Sequence, residues 1–139
     1  MFNSELWTVT GKIEEKIDVF QRSLLRKLMG VRWPKKLSNI QLYEVTKCEK
    51  WSMKIKRRRF KWLGHLLRLP DETPAKCALC EFLRPARKPK GRPPNTWVGN
   101  IEKELREFGY TLRQAEELAR DRDKWRCVVN RVKSAELRQ

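Results

Sequence analysis

Residues 51–70 read WSMKIKRRRFKWLGHLLRLP, and the placement of apolar and cationic side chains along this stretch decides the fold. At the angular step of a helix, Trp51, Ile55, Phe60, Trp62, Leu63, Leu66 and Leu67 fall in one broad arc that requires a core to face. Lys54, Arg57, Arg58, Lys61, His65 and Arg68 fall opposite, as a stripe about 21 Å long at the helical rise. A solvated surface helix ordinarily mixes both signs of charge, whereas this one contains no acid, so the stripe suits a phosphate backbone. Lys56 and Arg59 lie inside the apolar arc, where their stems can pack while their charges reach outward or meet a ligand. Trp62 is assigned to the core by its angle beside Ile55 and Leu66. Positions 54–61 also read as a nuclear-import patch or a basic amphipathic segment for calmodulin or a membrane surface, the lesser alternatives here.

The rest of the 139-residue chain agrees with one helical domain. Hydrophobic residues make up 40% and charged residues 36%, and six tryptophans provide large surfaces to bury, a composition unlike that of a disordered chain. The net charge of +16 makes nucleic acid the expected partner. That charge is concentrated in residues 54–92, which hold thirteen Lys or Arg against three acids, a surplus of ten. The N-terminal MFNSELWTV lacks the basic and apolar regions of a signal peptide, so a reducing, non-secretory setting is expected, and no apolar run is long enough for a membrane span.

Upstream of the basic helix, residues 2–9 alternate loosely and read as extended. Ile13, Ile17, Phe20, Leu24 and Leu28 follow helical spacing, predicting a core helix closed by Gly30, with Glu14, Glu15 and Asp18 on its outer face. Ser38 with Gln41 forms a capping-box pattern opening a short helix that buries Ile40, Leu42 or Tyr43, and Val45. Downstream, Thr73-Pro74 starts a short helix. RPARKPKGRPP at 84–94 has four prolines and five cations and reads as an exposed connector, with Lys88, Lys90 and Arg92 as its phosphate-contacting residues. Asn95 is placed to cap a helix carrying Trp97, Ile101, Leu105 and Phe108, Thr111 with Gln114 to open the next, and Asp121 to cap the last, which carries Trp125, Val128, Val129 and Val132. The expected fold is all-α, with about six or seven helices: residues 1–83 with the basic helix 51–69, the connector 84–94, and a helical unit over 95–139.

Chemistry is sparse. Cys77 and Cys80 have the spacing of a zinc-binding pair, but the usual second pair does not follow, and they read as partly buried thiols, with no metal or other cofactor expected. The four aspartates, at 18, 71, 121 and 123, are not clustered as a two-metal polymerase or nuclease requires, and His65 has no nucleophile beside it in sequence. No catalytic residue and no small-molecule substrate is expected for this chain alone. Pro89-Lys90-Gly91-Arg92-Pro93 resembles the AT-hook, with Lys90 where that motif usually has arginine, and reads also as a plain basic linker.

A wider pattern covers nearly the whole chain: LWTVT at 6–10, RKLMGVRW at 26–33, RRRFKWLGHLLRLP at 57–70, GRPPNTW at 91–97 and DRDKWR at 121–126. In this order they resemble the C-terminal region of non-LTR, LINE-type retrotransposon reverse transcriptases. The resemblance implies a helical thumb and downstream region that holds template and primer, in a parent with RNA-directed DNA polymerase activity. It implies RNA, an RNA–DNA hybrid or the DNA backbone as partner, together with the remainder of that reverse transcriptase, and a ribonucleoprotein of nucleus and cytoplasm. The family's aromatic-x-Asp-Asp turn and upstream endonuclease have no counterpart here, so neither activity carries over. Two rival expectations remain: a host DNA-binding protein with an AT-hook-like arm, and a helical module that binds an acidic protein through its cationic helix.

Overall fold

The computed structural model describes residues 2–32, 34–83 and 95–135, and everything described is helix, turn or irregular chain without a strand. After a 3-10 turn at Ser4–Leu6, where an extended segment is expected, come α1 (Gly11–Leu28), α2 (Asn39–Thr46), α3 (Trp51–Arg68), α4 (Pro74–Leu83), α5 (Trp97–Glu107), α6 (Leu112–Arg120) and α7 (Arg122–Ala135). The fold is all-α, as the periodicity requires.

Packing groups the chain into two units, Val9–Ile55 and the residues up to Thr8 together with those from Lys56 onward. In the Val9–Ile55 unit, α1 packs on α2, and Leu42 is completely buried. At the first turn of α3 it is α1 that supplies side-chain acceptors. The backbone N–H of Ser52 donates to Asp18 Oδ1 at 2.9 Å and its hydroxyl to Oδ2 at 2.6 Å. The backbone N–H of Trp51 donates to Gln21 Oε1 at 2.8 Å, while Gln21 Nε2 donates to the Glu49 carbonyl at 2.9 Å. Orphan donors of a helix start are thereby satisfied, and the Asp18 carboxylate sits at the positive end of the α3 dipole.

This tertiary cap revises the expected orientation of α1. Asp18 and Gln21 are buried, whereas Ile13, Phe20 and Leu28 are 44%, 58% and 83% exposed. Helical spacing identifies an apolar stripe but not what another helix needs, and here α3 needs acceptors. On α2, Leu42 is the buried residue, while Ile40 and Val45 are exposed and Tyr43 half-buried. Arg26 joins the two helices, donating to the Leu37 carbonyl at 3.2 Å and to Asn39 Oδ1 at 2.7 Å.

In the other unit, Phe60, Leu63 and Leu66 of α3 are buried along with Leu79 of α4, Val98, Ile101 and Leu105 of α5, Ala115 and Ala119 of α6, and Trp125, Val128, Val129 and Val132 of α7. Phe60 is the hub, meeting the Phe108 ring edge-on at 5.8 Å and the Trp125 ring at 6.4 Å. The helix starts follow local chemistry. Ser38 and Thr111 complete the expected capping boxes, and Asp121 Oδ1 accepts the N–H groups of Asp123 and Lys124 at 2.9 and 3.2 Å. For α5 the cap is Thr96, whose hydroxyl accepts from Gly99 N–H at 3.1 Å, and not the expected Asn95 one residue earlier. Gly30 and Gly109 follow the ends of α1 and α5 with φ of +64° and +79°, the left-handed conformation in which a helix ends most easily at glycine.

Candidate nucleic-acid interface

The 18-residue α3 carries the candidate interface. Its buried side is set by Ile55, Arg59, Phe60, Leu63 and Leu66, each at most 5% exposed, and this fixes what the helix turns outward. Lys54, Lys61 and His65 are exposed; Arg57, Arg58 and Arg68 are half-buried along the two margins of the same side.

The margins are partly committed to protein. Arg58 Nε lies 3.3 Å from Glu5 Oε2, a partly exposed pair worth roughly 0–1 kcal/mol. Arg68 Nη1 donates to the Ala119 carbonyl at 3.0 Å, at the last turn of α6. Desolvation, and then the neighbouring charge of Arg122, lower the Arg68 pKa from its usual value; a guanidinium nevertheless stays charged throughout the physiological range. The His65 ring lies 5.2 Å from the Trp62 ring at an interplanar angle of 36°. Trp62, expected in the core, is half-buried at the border between the apolar and cationic sides.

The two cations inside the apolar arc behave differently from the expectation that their charges reach outward. Arg59 is fully buried and forms an ion pair with Glu104 of α5, itself 5% exposed, and its Nη1 lies 3.5 Å from the Trp7 carbonyl. Losing water is costly for both charges, and mutual pairing offsets that cost. Lys56 meets Glu107 at 3.5 Å. Arg59 is therefore structural, and its neighbours in the RRR run are not. Glu104 at a core-facing position of α5 was the available signal, being an acid where the periodicity calls for an apolar residue.

Lys88, Lys90 and Arg92 of the expected arm lie outside the described residues, as does the AT-hook-like tract. Cys77 is exposed, its thiol 3.0 Å from the Asp71 carbonyl, and Cys80 is half-buried. Among the described residues no three His, Cys, Asp or Glu side chains are grouped to hold a metal ion, and no helix is long and apolar enough to cross a membrane.

Beside the stripe, Leu6, Trp62, Leu66, Ala78, Leu79 and Trp97 help to line an open, almost wholly apolar cavity of about 280 Å³. Trp97 is held in place by its indole N–H, which donates to the Glu5 carbonyl at 2.7 Å.

Over 94% of its length the chain is 24% identical to a putative uncharacterized transposon-derived protein of Caenorhabditis elegans. The likeness supports a transposon-related origin. The chain spans about half the length of that relative, 49% of it. No protein family and no solved structure matches the chain.

Proposed function

We propose that this chain is a nucleic-acid-binding helical segment from the C-terminal region of a non-LTR retrotransposon reverse transcriptase, contacting the phosphate backbone of RNA or an RNA–DNA hybrid through α3. The observation that carries the reading is the acid-free outer side of α3, where Lys54, Lys61 and His65 are exposed between the margins formed by Arg57, Arg58 and Arg68. Cations repeated along one helix match a repeated phosphate charge, and their contact with it releases counterions. The transposon-related origin agrees with this reading, and the preference for RNA or hybrid rests on the resemblance in the motifs. On its own the chain binds without catalysing; polymerisation belongs to the remainder of the parent, which is also its expected protein partner within a ribonucleoprotein of nucleus and cytoplasm.

The test is binding of the whole chain to labelled RNA, RNA–DNA hybrid and duplex DNA across a salt series. With six or more phosphates engaged, affinity falls about a thousandfold or more between roughly 50 and 200 mM salt, and changing Lys54, Arg57 and Lys61 together to alanine flattens the dependence. Folded protein that binds none of the three removes this reading and leaves the acidic-protein module in its place. A preference for A·T-rich duplex that Arg92→Ala abolishes moves the function to the arm.

A further inference from the structure

We propose that the cavity beside α3 receives one unpaired nucleobase, stacked against its indole walls, while the adjoining phosphates lie along the cationic stripe. This inference rests on the nucleic-acid reading above and adds to it a preference for single-stranded or locally opened segments.

Size comes first. At about 280 Å³ the cavity falls below the usual range for drug-sized ligands, about 300–1,000 Å³, and suits a single ring system. Shape and chemistry follow. Trp62 and Trp97 are both half-buried, each offering indole surface to an open cavity, whereas the core rings Phe60 and Trp125 are buried at 1% and 4% exposure. The indole N–H of Trp97 is occupied by the Glu5 carbonyl, which sets the plane of that ring. A nearly all-carbon lining recognises a flat π-face and has little with which to read hydrogen-bonding edges, so any of the bases is accommodated.

Charge decides between a base and the other apolar occupants. Trp62 lies between Lys61, one residue before it, and His65, one turn later, whose ring is in contact with the Trp62 ring. An apolar wall thus continues directly into the exposed Lys61 ammonium and the exposed His65 ring on an acid-free helix. A nucleotide satisfies both at once, its base in the cavity and its phosphate on the stripe. An apolar protein side chain would use the cavity alone.

Filling the cavity without removing either tryptophan tests this. Ala78 is an exposed residue of α4 that lines it, so Ala78→Phe occupies the space with a ring from the protein itself. Binding of the whole chain and of this variant is measured for a labelled short oligouridylate, for an abasic strand with the same number of phosphates, and for a duplex of equal length. The expected result is a loss of about tenfold or more for the oligouridylate alone, with abasic and duplex affinities and the salt dependence unchanged. Equal affinity of the parent for oligouridylate and abasic strand, or an Ala78→Phe variant that binds the oligouridylate as the parent does, overturns the base site, assigns the cavity to an apolar protein side chain, and leaves the phosphate stripe standing. Absence of binding to all three probes overturns the phosphate stripe and the base site together. Circular dichroism verifies that the variant is folded; Ala75→Leu, at another exposed lining position, supplies the same comparison if Ala78→Phe is not.

Discussion

Gly64 of α3 lies directly under the indole of Trp125 of α7: a Cβ at position 64 would stand 2.0 Å from Trp125 Nε1 and 2.3 Å from Cδ1. The same indole N–H donates to the Phe60 carbonyl at 2.9 Å, so the ring is pinned against the α3 backbone at the one position of the helix without a side chain. The conjunction joins the WLGH and DKWR segments, far apart in sequence, into one packing unit.

Gly64→Ala is therefore expected to destabilise the fold in spite of alanine's better helix propensity. Propensity alone would add about 1 kcal/mol of stability, while forcing a methyl group into a filled core typically costs about 1–3 kcal/mol, with the upper end expected where the obstructing atom belongs to a hydrogen-bonded ring. Urea unfolding measures the balance; a raised midpoint for Gly64→Ala would show that the ring does not rest on the glycine. Combined with Trp125→Leu, the glycine substitution should cost much less, because the two positions share one contact.

The Arg59–Glu104 pair yields a prediction of different form. Glu104→Ala leaves a guanidinium buried without its carboxylate, and removing one partner of such a pair costs about 3–5 kcal/mol. Replacing both residues, as Arg59→Met with Glu104→Leu, should recover most of that loss, since neither charge then has to be desolvated. Chemical denaturation of the single and double variants decides the matter: equal instability of the two would mean that packing, and not unpaired charge, governs this site.

Asp18→Ala should weaken the start of α3 although the two lie more than thirty residues apart. Loss of a helix-capping acceptor costs about 0.5–2 kcal/mol, and here both the N–H and the hydroxyl of Ser52 lose their acceptor. Hydrogen exchange of the Ser52 amide is the direct readout. It should accelerate in Asp18→Ala, and unchanged protection would rule out the cap.

Acid should loosen α7 through Asp121. Its carboxylate accepts the backbone N–H groups of Lys124 and Asp123, which hold its pKa below the ordinary carboxylate value even against a small opposing desolvation. With the folded pKa depressed, the stabilisation is present in full above the unfolded value of about 3.9 and is lost as pH falls through the folded one. Asp121→Asn keeps an acceptor without a charge, so its stability curve should lie below that of the parent near neutrality and converge with it in acid. Parallel curves through the acid range would exclude Asp121 as the titrating group.

On the candidate interface, Lys61→Ala should reduce the salt slope of nucleic-acid binding by about one phosphate contact without altering stability, since Lys61 is exposed. Arg59→Ala, two residues away, should unfold the protein more readily. If thermal unfolding and salt-dependent binding do not separate the two substitutions in this way, the division of the RRR run into structural and surface cations fails.

Much was legible in the amino-acid order because it depends on near neighbours. The amphipathic division of α3, the Ser38–Gln41 and Thr111–Gln114 capping boxes, the Asp121 cap and the glycines after α1 and α5 all arise from residues within a turn of one another. An all-helical chain follows from that information alone. So does the net charge of +16, which is additive and needs no fold.

Tertiary structure decided what periodicity leaves open, namely which of several chemically similar residues meets which partner. It buried Asp18 and Gln21, which accept the N–H groups of the first turn of α3, and left Ile13 and Phe20 exposed. Among adjacent arginines it drew Arg59 inward to Glu104 and left Arg57 and Arg58 at the margin, and it set Trp62 beside a cavity it shares with Trp97. Sequence spacing reports the direction of a side chain from its own helix axis; burial, pairing and cavities depend on a second element that approaches from elsewhere in the chain.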